Sequence, residues 1–541
     1  MSGAGPGEPS SGRPRPAEGM VMTGEADLGW PRVALFSLSD KSGVTAFAQA
    51  LARHGTRLIA SGGTAEHLRS AGLEVTSVES LTGLAELLGG RVKTLHPILH
   101  AGILAKRNDP AHAAQLAKEG IEPIDLVCVS LYPFEERAAK LDEAGAVEEI
   151  DIGGVALLRG AAKNFEHVVV LHDPQQYAEA LAAFGAGGAT LEQRRGWARS
   201  VFARTARYDA AIANDLARRS HAEDDGETAT PRILVLPLER VRPLRYGENP
   251  HQPGALYARL GEAGRLDAWK EGKELSYNNL LDLEAAVTLA ARFERPSCVI
   301  VKHNQPCGAA SAETLPGAWQ AARRTDELSA FGGVVAFNRP LDAATALAMS
   351  TMFLECVAAP EFEPGVEEAF KSKKNLRLVR LTSSDLASPE PWQVRLVGPW
   401  ALLQIGGAPE PAWRTVSKRP PTEVEMRGLR FAWEICAAAR SNAIAIARGE
   451  ALIGLGSGQT SRVDAVDVAL MKARRAGHEI RGAALASDGF FPFPDGVAHA
   501  AQAGVTAIVQ PGGSMKDAEV IAEADRKGVA MVFTDRRTFR H

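Results

Sequence analysis

Two adjacent basic residues, Lys302 and His303, follow an apolar run at residues 298–301 without a spacer. The run predicts a buried strand, and Pro306 and Gly308 predict that the chain breaks soon after it. A buried strand that ends in an amine and an imidazole places a possible proton donor and acceptor at the carboxyl edge of a sheet, where the ligands of open α/β sheets bind. The alternative is a strand whose end happens to be basic.

A second group of chemistry-bearing residues lies in two turns that follow predicted strands near the N-terminus. These turns, at residues 37–43 and 61–64, contain Ser37, Ser39, Lys41, Ser61, Gly62, Gly63 and Thr64. Their hydroxyls and backbone N–H groups can converge on a phosphate at the positive end of the helix that each turn opens. Either turn alone could be a plain strand-to-helix connection with an N-cap. Two on consecutive strands of one parallel sheet favour an anion cradle.

Further charged residues accompany these turns in the sequence. Arg91 and Lys93 lie on the same side of the chain if that segment is extended, and Thr94 follows them. Asp151 precedes two glycines, and Lys163 adds another amine. A solvated charged surface is the alternative interpretation of each residue.

The elements that must position these residues alternate along the chain. From residue 32, short apolar runs alternate with helical stretches, which predicts βαβ units and a mainly parallel sheet. We predict strands at residues 33–36, 58–60, 125–132, 167–171, 233–236, 299–301, 334–337 and 443–446, and helices at 44–54, 65–70, 191–219, 280–293 and 423–440. The fold class is therefore α/β, with a later region large enough for two α/β subdomains. A diverged duplication is one interpretation of these subdomains, because each has a Phe-containing turn, at residues 330–332 and 489–491.

The chain of 541 residues can bury more than one hydrophobic core. Residues 1–30 are rich in Gly, Pro, Ser and Glu without the apolar core of a signal peptide, so we expect a disordered tail. The charged segment at 220–230 predicts a boundary between a first domain at residues 31–225 and a second at 226–541.

Composition argues against several classes of protein. A net charge of -4 argues against nonspecific binding to nucleic acid. The five cysteines are scattered, without the spacing of a disulfide framework or a zinc cage, so a reducing cytoplasm fits best. No apolar run approaches the length that spans a bilayer. We expect a cytoplasmic protein without nucleic-acid or membrane partners.

Nine motifs resemble, in order, those of the bifunctional purine biosynthesis enzymes. They lie at residues 35–41, 61–64, 90–97, 131–134, 150–164, 244–252, 302–308, 329–333 and 487–493. The first five resemble an inosine monophosphate (IMP) cyclohydrolase domain, and the others resemble a formyltransferase that acts on aminoimidazole carboxamide ribotide (AICAR). The resemblance covers nearly all of residues 33–541. It implies a methylglyoxal-synthase-like parallel-sheet domain followed by a formyltransferase region of two cytidine-deaminase-like α/β subdomains.

The resemblance also implies the reactions and the partners. The 5-amino group of AICAR takes the formyl group of the cosubstrate 10-formyltetrahydrofolate, and the formylated product, FAICAR, closes to IMP with loss of water. Neither a metal nor a nicotinamide is implied. The family forms homodimers with transferase sites between subunits, so we expect a homodimer here.

For formyl transfer, the resemblance assigns roles that suit the side chains. The amine of AICAR is a poor nucleophile, and the neutral imidazole of His303 is suited to take its proton. The cation of Lys302 would favour the neutral imidazole, and could protonate the departing folate nitrogen or stabilise the oxyanion. Asn442 matches the amide that holds the tetrahedral intermediate. The matched nucleotide-binding positions are Arg245, Tyr246, Asp326, Arg462, Asp488, Phe539 and His541.

For ring closure, nucleophile and electrophile belong to one molecule, so phosphate anchoring can supply much of the effect by fixing the reactive conformer. By motif match the catalytic residues are Lys93, Tyr132, Asp151 and Lys163, and the cradle residues with Arg91 and Thr94 bind the substrate. The sequence leaves open which side chain moves which proton.

Three positions depart from the family pattern. Ser130 stands where the family often has Asn, Arg440 replaces a common Lys, and Pro494 replaces a common Arg. The first two keep hydrogen-bonding capacity, although a guanidinium is wider and less adaptable than an ammonium. These changes affect the expected substrate affinity more than the reaction class.

Three rival functions have partial signals in the sequence. A zinc deaminase has an H-x-E and P-C-x-x-C signature, but Gln305 lacks the carboxylate and Ala310 replaces the second cysteine. The glycines at 454, 456 and 458 suggest a dinucleotide loop whose last glycine is missing. The first domain could instead bind an effector without catalysis. The joint presence of its four matched catalytic residues speaks against that.

Overall fold

The computed structural model describes residues 27–84, 88, 92–219, 230, 232–259, 274–387, 392–407 and 409–541. It divides into two compact units, residues 1–237 and 238–541. Most of the expected tail, Arg91 and the expected domain boundary lie outside the described residues. In the part that is described, Leu28 pairs with Ala189 and the ring of Trp30 stacks on His54 at 3.6 Å.

The N-terminal unit contains a five-stranded sheet of order β3-β2-β1-β4-β5 in which all neighbours are parallel. Its strands are β1 (Val33–Leu38), β2 (Arg57–Ala60), β3 (Val75–Ser77), β4 (Leu126–Ser130) and β5 (Val169–Leu171). Alternate residues of β1 enter two different cores, with Leu35 in one and Phe36 in the other. Both faces of the sheet are therefore covered, as its continuous apolar strands predict.

The helices of this unit include the strand-to-helix turns predicted to bind phosphate. They are α1 (Val44–Arg53), α2 (Gly62–Ser70), α3 (Val78–Thr82), α4 (Pro97–Leu104), α5 (Pro110–Lys118), α6 (Phe134–Ala138), α7 (Glu143–Glu148), α8 (Gly153–Lys163), α9 (Tyr177–Gly185) and α10 (Leu191–Arg219). Helices α1 and α2 follow β1 and β2 directly, so their N-termini lie at the carboxyl edge of the sheet.

The C-terminal unit is built on one mixed sheet of eleven strands, flanked by two separate two-stranded ribbons. The ribbons are β6 (Leu238–Leu244) with β7 (Gly254–Arg259), and β13 (Trp392–Val397) with β14 (Trp400–Ile405). The sheet strands are β8 (Ser297–Lys302), β9 (Gln305–Ser311), β10 (Val334–Phe337), β11 (Cys356–Ala359), β12 (Arg377–Arg380), β15 (Arg414–Thr415), β16 (Ile444–Arg448), β17 (Ala451–Gly456), β18 (Ala483–Ser487), β19 (Val505–Gln510) and β20 (Ala530–Phe533). The helices are α11 (Tyr277–Ala290), α12 (Leu315–Thr325), α13 (Glu327–Ala330), α14 (Ala343–Met349), α15 (Val366–Ala369), α16 (Glu423–Ala438), α17 (Arg462–Arg475), α18 (Asp495–Ala503) and α19 (Asp517–Lys527).

The strand order supports the predicted duplication. It reads β12-β11-β10-β8-β9 from one edge, and β20-β19-β18-β16-β17 in the second half, with β9 and β17 antiparallel where the halves meet. In both halves a helix, α11 or α16, precedes an antiparallel hairpin. The two Phe-containing turns are not equivalent, because the first precedes β10 whereas the second follows β18. That sequence argument for duplication was wrong, although the topology supports the duplication.

Two local predictions are corrected. The chain does not break at Pro306 and Gly308, because β9 begins at Gln305 and continues through both. Pro306 is tolerated in the strand because it lies beside a register shift in the β8–β9 pairing. Gly308 is needed for a different reason, because a Cβ at that position would collide with the backbone of α12. The strand predicted at 233–236 is also absent. Ile233 is 74% exposed, and β6 begins only at Leu238.

Within the described residues, no helix is both long and apolar enough to cross a membrane.

Candidate active sites

The two predicted phosphate-binding turns of the N-terminal unit lie side by side. The hydroxyl of Ser61 donates to Ser37 Oγ at 3.0 Å, and the Leu38 N–H donates to Thr64 Oγ1 at 2.9 Å. Both contacts follow from the parallel pairing of β1 with β2, which brings the carboxyl ends of the two strands together. Together with Gly62 and Gly63 at the start of α2, these hydroxyls form what we call the cradle.

Lys93 lies against the cradle. Its Nζ atom is 2.5 Å from the position that a Cβ on Gly62 would occupy, and Gly62 has a φ of +36°. Only glycine leaves room there for the ammonium group. The same Nζ is 3.6 Å from a carboxylate oxygen of Glu79. Burial alone would raise the pKa of Glu79, but hydrogen bonds and the Lys93 charge hold it below the ordinary value.

Asp151 lies at the start of α8, next to Thr94. One oxygen of its carboxylate accepts the Gly154 N–H at 2.7 Å, while the Asp151 N–H donates to the hydroxyl of Tyr208 at 2.7 Å. Burial raises the pKa of Asp151, against the opposing effect of the Gly154 hydrogen bond. The Thr94 hydroxyl packs so closely on Gly153 that a side chain at that glycine would displace it. A carboxyl group whose pKa is raised by burial near a cluster of polar residues is a candidate for proton transfer.

Ser39, Lys41 and Tyr132 lie at the ends of β1 and β4. The Ser39 N–H donates to the carbonyl of Ser130 at 3.2 Å, which joins the turn after β1 to the turn after β4. Lys41 belongs to that first turn, whose Asp40 N–H donates to Ser130 Oγ at 2.9 Å. Tyr132 follows two residues after Ser130 and is 44% exposed. The serine that departs from the family pattern therefore supports the edge of the site.

Lys163 is the exception among the predicted cyclohydrolase residues. It is in the last turn of α8, ten residues beyond Gly153, which corresponds to about 15 Å of helix. Among the described residues, no hydrogen bond or ion pair joins it to Lys93, Tyr132 or Asp151. The helix therefore places Lys163 far from Asp151, which lies just before the other end of α8.

In the C-terminal unit, Lys302 ends β8 and His303 begins a two-residue hairpin turn. His303 and Asn304 have φ values of 55° and 58°, the left-handed region that a two-residue loop of this kind requires. The imidazole is exposed. The Lys302 ammonium donates to the carbonyl of Phe331 at 2.8 Å, which fixes the end of β8 to the turn before β10.

The second half of the unit contacts the same hairpin turn. The Arg440 N–H donates to Gln305 Oε1 at 3.0 Å, and Arg540 Nη2 lies 3.4 Å from Asn304 Oδ1. The Ser441 N–H in turn donates to the Arg540 carbonyl at 2.9 Å. These bonds bring the Arg440–Asn442 turn and the C-terminus beside His303. We call this region the active junction.

Arg462 links Asn442 to a buried carboxylate. Its Nη2 donates to Asn442 Oδ1 at 2.7 Å, and its Nη1 donates to Ser487 Oγ at 2.7 Å and Asp488 Oδ1 at 2.5 Å. The Asp488 side chain is 0% exposed, so it supports Arg462 from behind. Arg462, which was predicted to bind the nucleotide, therefore also holds the oxygen of the Asn442 amide.

The C-terminal aromatic residues pack on this network. A Cβ on Gly489 would lie 2.6 Å from Arg462 Nη2 and 2.7 Å from the Phe539 ring. The Phe539 and His541 rings are 6.1 Å apart, edge to face. Phe539 therefore packs beside Arg462, with His541 against its ring, and Gly489 leaves the room that Phe539 and Arg462 need.

Asp326 lies beside the Lys302 end of β8. Its carboxylate accepts the Ser329 hydroxyl at 2.7 Å and pairs with Lys472 at 3.3 Å. Asp326 caps the N-terminus of α13, and the C-cap residue of that helix is Phe331, whose carbonyl accepts a hydrogen bond from the Lys302 ammonium. The short helix therefore connects Asp326 to the end of β8.

Arg245 and Tyr246 follow β6, on the first ribbon. Arg245 Nη2 donates to the Tyr246 hydroxyl at 2.9 Å, with the guanidinium 4.8 Å from the ring centroid. Within the described residues, no hydrogen bond or ion pair connects this pair to the active junction.

Comparisons with known proteins identify the family. A family model described as "AICARFT/IMPCHase bienzyme" matches residues 161–472, and one described as "MGS-like domain" matches residues 43–156. The chain belongs to the AICARFT/IMPCHase bienzyme family. Two relatives named "Bifunctional purine biosynthesis protein PurH", from Chloroflexus aurantiacus and Acidithiobacillus ferrooxidans, are each 48% identical over 94% of this chain and cover 98% and 99% of their own lengths. A third, from Myxococcus xanthus, is 47% identical over 94% of this chain and all of its own length.

Membership of the AICARFT/IMPCHase family confirms the predicted fold class and the predicted pair of activities in purine biosynthesis, formyl transfer to AICAR and closure to IMP. It also decides against the zinc deaminase interpretation. Within the described residues, no three His, Cys, Asp or Glu side chains are grouped as metal ligands.

Sequence reasoning missed Asp282, whose carboxylate accepts the Asn304 N–H at 2.6 Å. The available signal was an aspartate inside the helical stretch predicted at 280–293, where propensity does not favour it. It also missed Gln305 as the residue that accepts the Arg440 N–H.

Proposed function

We propose that the two reactions occupy separate sites, with formyl transfer at the active junction and ring closure at the cradle. The observation that carries this proposal is the contact of the His303–Asn304 turn with the Arg440–Asn442 turn and the C-terminus. An exposed imidazole, an ammonium and an oriented amide meet there. Hydroxyls and an ammonium meet at the cradle, which suits a phosphate monoester.

For formyl transfer, His303 takes the proton of the AICAR amine as its nitrogen attacks the formyl carbon of 10-formyltetrahydrofolate. The Asn442 amide donates to the oxyanion of the tetrahedral intermediate. Lys302 then supplies a proton to the departing folate nitrogen. Arg462 donates to Asn442 Oδ1, and Asn442 Nδ2 donates to the Gln459 carbonyl at 2.9 Å, which leaves one N–H of the amide to donate to the oxyanion and supports this assignment.

For ring closure, the cradle and Lys93 hold the phosphate of FAICAR while its carboxamide nitrogen attacks the formyl carbon. Asp151 accepts the amide proton, and Tyr132 donates to the developing oxyanion before water leaves. The rigid support of Asp151 by Gly154 and Tyr208 favours this role. Lys163 joins the site only if a second chain supplies it or the segment moves.

A two-signal assay tests the division of labour. Purified protein is mixed with AICAR and 10-formyltetrahydrofolate, and absorbance reports tetrahydrofolate and IMP separately. We expect both to form, with IMP above the spontaneous rate. If tetrahydrofolate forms while IMP appears only at the spontaneous rate, the N-terminal unit binds an effector without catalysis.

We also propose a homodimer in a reducing, cytoplasmic compartment. The β13–β14 ribbon supports the dimer, because Leu396 and Trp400 are 81% and 71% exposed at its tip and its strands pair only with each other. All five cysteines are unpaired and buried, which suits the cytoplasm. Light scattering gives the mass of the parent chain and of Trp400→Asp in solution. We expect a dimer for the parent and a weakened dimer for the variant. A parent that is monomeric would contradict this proposal.

A further inference from the structure

The His303–Asn304 turn has a backbone conformation that its sequence does not favour. Two-residue hairpin loops with positive φ at both positions prefer Asn-Gly or Gly-Gly, because a side chain crowds the backbone in that region. Here both positions carry side chains, at φ values of 55° and 58°. Such a conformation persists only where the surroundings hold it, and it is often found at functional sites.

Asp282 provides that hold from the first half of the unit. It lies inside α11, and its Oδ1 accepts the Asn304 N–H at 2.6 Å. One partly buried side chain therefore satisfies the N–H group of the second loop residue. The helix gains nothing from an aspartate at an interior position, so its role lies in the turn.

The opposite side of the turn is held by the second half. Arg540 contacts Asn304 Oδ1, and the Arg440 N–H donates to Gln305 next to the turn. The position of the imidazole thus depends on contacts from both sides, from Asp282 in the first half and from Arg440 and Arg540 in the second. Among the described residues, Asp282 is the only carboxylate that bonds to the loop backbone.

We propose that Asp282 is a positioning residue for formyl transfer. Its carboxylate holds the turn in the left-handed conformation from which the His303 imidazole reaches AICAR. This inference rests on the proposed role of His303 as the base. It predicts that the carboxylate becomes dispensable when the turn can adopt its conformation unaided.

The experiment uses the full-length enzyme and the variants Asp282→Ala, Asp282→Asn, and Asp282→Ala combined with Asn304→Gly. We expect Asp282→Ala to lower kcat for formyl transfer about 100-fold, with the KM for AICAR changed less than about threefold, because the imidazole is misplaced while the nucleotide contacts remain. Asp282→Asn keeps the shape and one acceptor, so its loss is smaller. Adding Asn304→Gly should recover about tenfold in kcat, since glycine adopts the turn without the carboxylate.

Two controls separate positioning from general damage. Glu284→Gln, at an exposed position on the same helix, is expected to keep the parent kinetics. Closure of preformed FAICAR at the other unit should be unchanged in every variant. The proposal is overturned if Asp282→Ala leaves kcat unchanged, if only KM rises, or if Asn304→Gly recovers nothing. If His303→Ala retains full formyl transfer, the proposed function fails instead, whatever Asp282 does.

Discussion

The C-terminal unit contains two equivalent hairpin turns with different surroundings. His303–Asn304 connects β8 to β9, and Gly449–Glu450 connects β16 to β17 in the second half. The first turn has two residues with side chains in the left-handed region, whereas in the second a glycine takes that region, with a φ of 57°. Conformational strain is therefore present only in the turn that carries the imidazole.

The residues that face the two turns differ in the same way. Asn442 lies two residues before β16, in the segment whose Arg440 N–H donates to Gln305 beside the His303 turn. Arg295 lies two residues before β8 and pairs with Glu450. Arg295 also pairs with Glu313. In one copy the junction is thus open, with an amide and an exposed imidazole. In the other, which we call the closed junction, ion pairs occupy the corresponding space. A duplicated fold can carry chemistry at one junction and stability at the other.

The largest expected difference between the junctions is catalytic. His303→Ala should lower formyl transfer about 1,000-fold, because the poor amine nucleophile loses its base. The matched variant Glu450→Ala at the closed junction should leave the kinetics of transfer unchanged. Both are measured by release of tetrahydrofolate, with closure of preformed FAICAR as the internal control. Equal slowing by the two variants would show that the junctions are not functionally distinct.

A second prediction extends the comparison to the cradle, where two adjacent glycines have different surroundings. A Cβ at Gly62 would lie 2.5 Å from Lys93 Nζ, whereas a Cβ at Gly63 would meet nothing within 4 Å. Gly62→Ala should therefore displace the ammonium and slow ring closure on the order of 100-fold. Gly63→Ala is the control and should retain most activity. The assay follows IMP formation from FAICAR, and equal rates for the two variants would remove Lys93 from the site.

Much of this architecture follows from periodicity and the order of elements. The helix at Leu191–Arg219 and the strand at Val334–Phe337 have the bounds that the sequence predicts. Apolar periodicity was sufficient there because each element is long or fully buried. The strand predicted at 233–236 failed because an apolar run needs a partner strand, and sequence does not show which partner is available.

The sequence identified the types of residue in the candidate sites better than it identified the contacts that those residues make. Pro306 was wrongly taken as a break, since a strand tolerates a proline beside a register shift. Lys163 matches the motif yet lies at the far end of α8. Asp488 was expected to bind substrate, but the structure places it under Arg462 without exposure. Such supporting roles depend on contacts between distant segments, which periodicity does not encode.

A smaller effect tests whether the closed junction is relaxed because of its glycine. Gly449→Ala should lower the free energy of unfolding by about 1 kcal/mol, because alanine is disfavoured at a φ of 57° while no neighbouring atom obstructs its Cβ. Gly449→Asn should cost less, since asparagine tolerates the left-handed region. Urea unfolding followed by hydrogen exchange of β16 and β17 measures both. If the alanine variant is as stable as the parent, conformational strain does not distinguish the two turns.

The smallest expected effects are the stability changes that follow when the carboxylate charge of Asp151 or of Glu450 is removed, and the two changes should have opposite signs. Asp151 at the proposed ring-closure site has a pKa raised by burial, whereas Glu450 at the closed junction is ion-paired with Arg295. A carboxyl group whose folded pKa is raised contributes stability below its ordinary pKa and loses it as pH rises through the folded value. Asp151→Asn should therefore stabilise the N-terminal unit near pH 7, and the gain should vanish as pH falls towards the ordinary aspartate pKa.

Glu450→Gln should instead destabilise the C-terminal unit, by less than about 1 kcal/mol for a partly exposed pair. Hydrogen exchange at several pH values, on peptides of α8 for Asp151 and of β16–β17 for Glu450, measures both variants against the parent. Stability changes of opposite sign at pH 7 would show that the buried charge of Asp151 destabilises the folded N-terminal unit, whereas the paired charge of Glu450 stabilises the C-terminal unit. Destabilisation by both substitutions would mean that Asp151 is held by favourable contacts that outweigh its burial, and the contrast between an open site and a closed one would then apply to the hairpin turns alone.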